Sequence, residues 1–527
     1  MRKRDFLILY FLGLIILSLT FIFQSDPGYM DSEFYYLGAK QIINRSMEIP
    51  VIWNYLDNTS SFPAPIFSYW MPFPSLLAAF SMLIFGTSFL GSRIILLVIA
   101  AGLAPFTYWI AVKITSNRFT GMMAGSMAIF SGYYLKFLTI PETILPYMFL
   151  GILYFYFIER FTSSDYEKEV NSKDFLFMGL ITGLLHLTRV DGIIFFIIGL
   201  ALFIFLFLKS KKNINKKWIL NIVIFIGSYC LVMSFWFVSN LYFYDSIFAP
   251  ATSKAIWIAT YDDTFIFPAS KLNLNYWWQN ALELRSAQIF DAIKLNIGTF
   301  LGVQLMIFGL PLFIFGVKRN IKNHFMRIGI VFYLMIFFSM TIIFPLAGER
   351  GGFLHSASAV QILIWILIAD GLQGFFEWGI RKRNWNLNRS QSMFGTAFIV
   401  IIALFTLFVY KNDVIGASTQ ELKWEQDYKQ YEKIEEIIFQ KSLNKTDVIM
   451  INNPLGYYYS TGRWSIVVPN ADVNQLLEVL QLFEVKYLVL DENLPEKFNE
   501  YHDNLINTYF KFLQETQTGI KIYEYKK

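Results

Sequence analysis

Asp31 and Glu33 sit two residues apart, shortly past a long apolar run, within Gly28-Tyr29-Met30-Asp31-Ser32-Glu33-Phe34-Tyr35-Tyr36. Two carboxylates held among aromatic rings at a bilayer surface are in a demanding place, because burial and like charge both raise a carboxyl pKa. Such a group is suited to taking a proton from a hydroxyl. Further charged residues follow between apolar runs: Asp57, Glu142, Arg189, Asp191, Lys254, Asp262, Asp263, Glu349, Arg350 and His355. A charge near membrane depth costs about 2.5–3.5 kcal/mol on insertion scales. Charges that converge there usually mark function.

One chemistry that fits is sugar transfer from a lipid phosphate. The phosphate is already a competent leaving group, so no general acid is required. A cation must hold the phosphate charge as it grows, and arginine does this bidentately. Arg350 and Arg189 are the candidates. A carboxylate must accept the proton of the attacking hydroxyl, which Asp31 or Glu33 can do. Glu142, Asp57, Tyr35, Trp53 and His355 are candidate substrate contacts. Each has a plainer reading. Asp-x-Glu alone is a common solvated pair. Arg189 and Asp191 can pair across a turn, and Arg350 can merely neutralise Glu349. Glu142, after Pro141, can cap a helix, and His355 can be a satisfied helix-end histidine. Lys254, Asp262 and Asp263 read as surface charges.

The elements that must position these residues are mostly membrane spans. The 527 residues are 55% hydrophobic, 19% aromatic and only 16% charged, with 55 Phe. A soluble domain is nearer 25% charged, and several apolar runs reach the roughly 20 residues a span needs. Eleven spans are expected: 5–23, 93–114, 119–134, 145–158, 175–187, 193–208, 218–238, 297–315, 328–344, 357–375 and 394–410. The basic clusters, such as Arg2-Lys3-Arg4, Lys209 with Lys211, Lys212, Lys216 and Lys217, and Arg381-Lys382-Arg383, then all fall on one side. That is the cytoplasmic side by the positive-inside rule. The net charge of +5 orients the chain in a membrane and gives no reason to expect nucleic acid. The single cysteine, Cys230, excludes an intramolecular disulfide and a cysteine metal site. The first run has no small-residue cleavage site and is expected to be retained.

The first outer loop, 24–72, carries Pro63, Pro65 and Pro72 and is expected to form short helices in the interface. Ser75–Phe85 is apolar but short, and suits a re-entrant or interfacial helix or the start of a span. The domains are expected at 1–410, in the membrane, and 411–527, an extracytoplasmic α/β unit. In the latter, 421–439 and 470–483 read as helices, and 447–452, 486–490 and 520–525 as strands.

The pattern from Gly28 to Tyr36 resembles the first outer loop of membrane glycosyltransferases of the GT-C class. Leu187-Thr188-Arg189-Val190-Asp191-Gly192 resembles a turn of the protein O-mannosyltransferase and aminoarabinose transferase branch, glycosyltransferase family 39, with Val190 in place of proline. Trp53-Asn54-Tyr55-Leu56-Asp57, Tyr69-Trp70-Met71-Pro72, Arg350-Gly351-Gly352-Phe353-Leu354-His355, Asn453-Pro454-Leu455-Gly456-Tyr457-Tyr458 and Thr461-Gly462-Arg463 are similar to a bacterial subgroup of that branch. The resemblance implies a polyprenyl-phosphate-sugar donor, inversion, and a site on the extracytoplasmic face. It puts the first-loop acid on Asp31, with Glu33 close by, and matches Glu142 to a second-loop acid. Related oligosaccharyltransferases use a divalent metal. The closer branch implies none, so no cofactor is expected. The acceptor (protein, lipid or glycan) stays open. A lipid-linked sugar transporter or flippase, and an inactive scaffold, are the rivals. A transporter calls for inverted repeats and broken helices, and neither is legible in the sequence.

Overall fold

The computed structural model describes residues 2–57, 61–162, 171–209, 216–491 and 493–526. Lys211 and Lys212 lie outside the described residues. The chain divides into two compact units, neither contiguous in sequence. The first comprises Met1–Ser25, Met71–Trp236 and Gln288–Thr419; the second comprises Asp26–Trp70, Phe237–Ala287 and Gln420–Lys527.

The first unit is helical. Over the whole chain, eight helices among the described residues are long and apolar enough to cross a membrane: Lys3–Phe21, Phe89–Thr115, Ile144–Thr162, Val190–Leu208, Lys217–Tyr244, His324–Ile343, Gly352–Arg383 and Leu387–Ile415. The protein is membrane-embedded. Three expected spans fall on shorter helices, Arg118–Ile129 (12 residues), Ser172–Thr188 (17 residues) and Leu310–Asn320 (11 residues). At 1.5 Å per residue a 12-residue helix covers about 18 Å, well short of a ~30 Å hydrocarbon core. Phe73–Phe85 is a 13-residue helix with proline in its first turn.

The span expected at 297–315 is interrupted. A helix ending at Gly298 passes into a π-helical turn, Thr299–Gln304, and helical structure resumes only at Leu310. Met306 (φ 50°) and Ile307 (φ 63°) occupy the left-handed region at the break, which is costly for a β-branched residue. A second π turn, Ser339–Ile343, precedes the short helices Pro345–Glu349 and Gly352–Ser356. Asn296 Nδ2 bonds Thr341 Oγ1 at 3.0 Å and the Met340 carbonyl at 3.3 Å. Broken helical backbone is therefore present where the apolar pattern reads as a continuous span.

The second unit is an α/β fold around a six-stranded sheet. Its strands are β2 (Val51–Ile52), β4 (Val448–Met450), β5 (Ser465–Ile466), β6 (Val485–Leu490), β7 (Phe510–Glu515) and β8 (Lys521–Tyr525); β1 (Glu48–Ile49) and β3 (Ala64–Pro65) form a separate antiparallel pair. The order is β2-β5-β4-β6-β8-β7, parallel through β6 and antiparallel beyond. Helices Pro454–Thr461 and Val473–Leu482 make the crossovers from β4 to β5 and from β5 to β6. Strand alternation splits the core. Leu488 and Leu490 face a cluster with Leu476, Val479 and Phe498, while Tyr487 and Val489 face one with Ile434, Ile438 and Tyr457.

The first loop is not a set of short interfacial helices. Its described residues hold one helix, Met30–Ile43, followed by β1, β2 and β3. The β-branched Ile49, Val51 and Ile52 favour extended backbone, and Pro65 tolerates a two-residue edge pair because it needs no ladder donor.

Candidate active site

In the second unit, Tyr29 precedes the helix Met30–Ile43 in extended conformation, and Asp31 and Glu33 occupy its first turn. The helix dipole favours carboxylates there. Asp31 is half-buried; Glu33 is 1% exposed. Glu33 Oε1 accepts from the Tyr428 hydroxyl at 2.8 Å and Oε2 from Asn453 Nδ2 at 3.1 Å. Burial pushes its carboxyl up to about 7 against these two bonds, with the Asp427 and Asp31 charges adding to the rise. Asn453 also caps the helix Pro454–Thr461, accepting from Gly456 N–H at 3.1 Å. The Tyr428 hydroxyl in turn accepts from Gly28 N–H at 2.7 Å. The Asp26 carbonyl accepts from the Trp424 indole at 2.9 Å, and its carboxylate from the Tyr459 hydroxyl at 2.8 Å.

Tyr35 is 1% exposed and packs edge-on against Phe34, with ring centroids 5.5 Å apart. Trp53 stacks on Trp70, with centroids 4.1 Å apart at 15°, and meets the edge of Tyr69 at 4.8 Å. Asp57 accepts from Ala251 N–H at 3.0 Å and the Tyr244 hydroxyl at 3.4 Å. Burial lifts its carboxyl to about 6 despite these bonds and one from Ser68. Asp263 corrects the surface reading. It is 2% exposed and accepts from Ala259 and Thr260 N–H groups, each at 2.9 Å, and from the Tyr276 hydroxyl at 2.6 Å. Lys254 Nζ donates to the Leu272 carbonyl at 2.9 Å, and Asp262 accepts from Glu496 N–H at 2.8 Å. Arg463 is fully buried and bonded to both Glu435 oxygens, which gives it a structural part.

In the first unit, three loops that are far apart in sequence converge. Glu142, 1% exposed, lies just before the helix Ile144–Thr162. His355 Nδ1 is 2.8 Å from Glu142 Oε1, and Thr143 Oγ1 donates to the same oxygen at 2.7 Å. Burial raises the Glu142 carboxyl, but the His355 charge and hydrogen bond and the two Thr143 bonds outweigh it and hold the group below its usual range. Glu142 Oε2 is buried without a hydrogen-bond partner among the described residues. Next along the chain from His355, Ser356 Oγ accepts from Arg189 Nη2 at 3.5 Å. Arg189 Nε pairs with Asp191 Oδ1 at 2.9 Å, and the Tyr147 hydroxyl approaches Asp191 Oδ2 at 3.5 Å. The turn Val190–Gly192 is tight: a Cβ on Gly192 would lie 2.3 Å from the Leu185 carbonyl oxygen. Arg350 is exposed, at the end of the helix Pro345–Glu349.

Within this unit, then, Glu142, His355 and Arg189 form one connected network, and Arg350 stands on the segment that carries His355. The chain order gave no hint of Thr143, Ser356 and Tyr147 as partners in this network, or of Tyr428 as the partner of Glu33 in the second unit. Asn453 did carry a signal, because Asn-Pro after a buried strand marks a helix start at the carboxyl end of a sheet.

No protein-family model matches the sequence, and no curated protein matches it. Solved structures do. The oligosaccharyltransferase of Archaeoglobus fulgidus in its apo form matches with a TM-score of 0.58 at 14% identity, over 100% of this chain and 75% of that one. The same enzyme in complex with Zn and sulfate matches at 0.52 and 14%, over 97% and 72%. ArnT from Cupriavidus metallidurans bound to undecaprenyl phosphate matches at 0.56 and 10%, over 99% and 98%. The chain has the GT-C fold, a multi-pass helical membrane protein with a soluble domain at its C-terminus.

Proposed function

We propose that this protein is a glycosyltransferase that moves a sugar from a polyprenyl-phosphate donor to an acceptor hydroxyl, with inversion, on the extracytoplasmic face of a cell membrane. The observation that carries the reading is the fold shared over nearly the full length of both chains with ArnT, whose structure holds undecaprenyl phosphate. The N-terminus is cytoplasmic and the 411–527 segment extracytoplasmic in this reading.

Asp31 is the base. It accepts the acceptor's hydroxyl proton while the hydroxyl oxygen bonds the anomeric carbon. The bond from that carbon to the phosphate oxygen breaks, and the polyprenyl phosphate leaves with the electron pair. Glu33 is enclosed by Tyr428 and Asn453, and its part is to fix the helix that bears Asp31. Arg350 and Arg189 hold the donor phosphate. Arg189 pairs with Asp191 and reaches Ser356, and a guanidinium fork matches a phosphate bidentately. Glu142 and His355 contact the substrate, Asp57 and Trp53 the acceptor, and Tyr35 backs the aromatic wall.

The reading needs no metal. A buried carboxylate beside an imidazole suits zinc and similar cations, so Glu142 and His355 are the residues that would hold one. Bound there, a divalent cation would supply a Lewis acid for the phosphate charge.

Transfer from radiolabelled polyprenyl-phosphate sugars in proteoliposomes tests the proposal, with and without chelator. Loss of transfer in Asp31→Asn, with donor binding kept, supports it. Transfer that chelation abolishes reassigns the Glu142–His355 pair to metal binding. The broken helix at residues 305–309 favours a second reading, a transporter of lipid-linked sugar. Movement of the lipid across the bilayer without transfer to any acceptor would establish that reading instead.

A further inference from the structure

The proposed acceptor contacts Trp53 and Asp57 belong to a wider feature of the second unit. Trp53 and Trp70 stack at 4.1 Å with Tyr69 edge-on to Trp53, and all three rings remain partly exposed. Next to them is a small cavity of about 20 Å³, lined by Trp53, Asn54, Asp57, Ser68, Phe34 and Ile52 among others. Asn54, Asp57 and Ser68 supply the polar part of the lining, and the rest is apolar.

The polar part is unusual. Asp57 is held by Ala251 N–H, the Tyr244 hydroxyl and Ser68, yet a carboxylate offers about four acceptor sites. Asn54 adds an amide beside it; its Oδ1 accepts from Leu56 N–H at 3.0 Å. If this segment served only to pack a loop, an apolar side chain at residue 57 would avoid the cost of a desolvated carboxylate. Partly exposed indole rings next to a carboxylate and an amide match one class of molecule, a pyranose. Its C–H face lies on an indole, and its hydroxyls donate to carboxylate and amide oxygens. Size narrows the match. About 20 Å³ holds roughly one water-sized group, so a sugar hydroxyl or hydroxymethyl can enter while the ring rests on the indole.

We infer that Trp53, Trp70, Asn54 and Asp57 form a saccharide subsite that seats one ring of a glycan acceptor. The inference rests on the transferase reading and names its acceptor class, a glycan hydroxyl in place of a protein side chain.

The test is binding, without donor. Full-length protein in nanodiscs is titrated with cellotriose, maltotriose and chitotriose, and with a serine- and threonine-rich peptide of similar mass. Saturation-transfer NMR and tryptophan fluorescence report the binding. At least one trisaccharide is expected to bind at millimolar concentration or better. Trp53→Ala should weaken it about tenfold, the scale of one aromatic contact. Trp53→Phe should recover part of the loss, and Asp57→Asn should weaken binding with the fluorescence change retained. No binding of any trisaccharide overturns the subsite. So does binding that Trp53→Ala leaves unchanged, or peptide binding that depends on Trp53. Because no donor is present, a protein that binds trisaccharide but transfers nothing refutes the transferase reading alone.

Discussion

The Tyr428 hydroxyl donates to the Glu33 carboxylate at 2.8 Å, across 395 residues of sequence. With Asn453 on the other oxygen, both oxygens of Glu33 face the 420–527 segment of its own unit. The pair fixes a helix in the first loop from a distance that no local propensity could supply.

The first prediction concerns stability and pH. Burial raises Glu33 from 4.5 to about 7, so the folded state binds its proton more tightly than the unfolded chain does. The associated stability is fully present below pH ~4.5 and is lost as pH rises through ~7, on the order of 3 kcal/mol in all. Glu33→Gln removes that dependence. Its thermal midpoint should exceed the wild type's at pH 8, and the difference should shrink towards pH 5. A variant less stable than wild type at pH 8 would show that the ionised carboxylate is favoured where it sits.

The second separates the two carboxylates. Asp31→Asn should lower kcat by roughly 10²–10⁴, the usual worth of a positioned base. Glu33→Gln should lower it by less than about tenfold, since a neutral group there still meets Tyr428. The reverse ranking in a transfer assay would make Glu33 the base.

The third concerns Glu142 and His355, 2.8 Å apart. Glu142→Gln and His355→Asn should each reduce kcat/KM, and the double variant should be little worse than the poorer single one. Groups acting as a unit are strongly non-additive. Losses that simply add would mean that the two residues act separately.

The fourth distinguishes the arginines. Arg350 is exposed, and Arg350→Ala should raise the donor KM with little change in thermal stability. Arg189→Ala leaves Asp191, whose side chain is 13% exposed, without its partner. It should lower the thermal midpoint as well as activity, because removing one member of a largely buried pair strands the other charge. Differential scanning fluorimetry beside donor titration separates the two.

The last is steric. Gly28 has φ 85°, and a Cβ there would lie 1.9 Å from the Trp424 ring. Gly28→Ala should cost more than ~2 kcal/mol, through overpacking and backbone strain together, and should reduce the yield of folded protein. Gly351, with φ 89° but open space around it, should tolerate alanine better.

Much of this was legible from the chain. Long apolar runs and basic clusters give helices and a membrane class directly, because the bilayer admits few solutions. Lys486–Leu490 reads as a buried strand, and β6 covers it. The break at Met306 and Ile307 was not legible, since both look like ordinary span residues and neither type favours the positive φ it adopts. The environment of Glu33 was also hidden: a carboxylate after a span looks solvated until Tyr428 and Asn453, far down the chain, enclose it. Asp263 failed for the same reason, its acceptors being filled by backbone groups that sequence does not display.

Strand β2 pairs in parallel with β5, Val51 with Ser465 and Ile52 with Ile466. During synthesis, then, the first loop must wait for its partner. At 5–20 residues per second, the ~400 residues between them take roughly 20–80 s to emerge. Through that interval the loop bearing Asp31 has neither its sheet edge nor Tyr428. A ribosome that stops early therefore releases a chain whose spans are made but whose first loop is never set. The final fifth of the polypeptide thus sets, last of all, the conformation of residues made almost first.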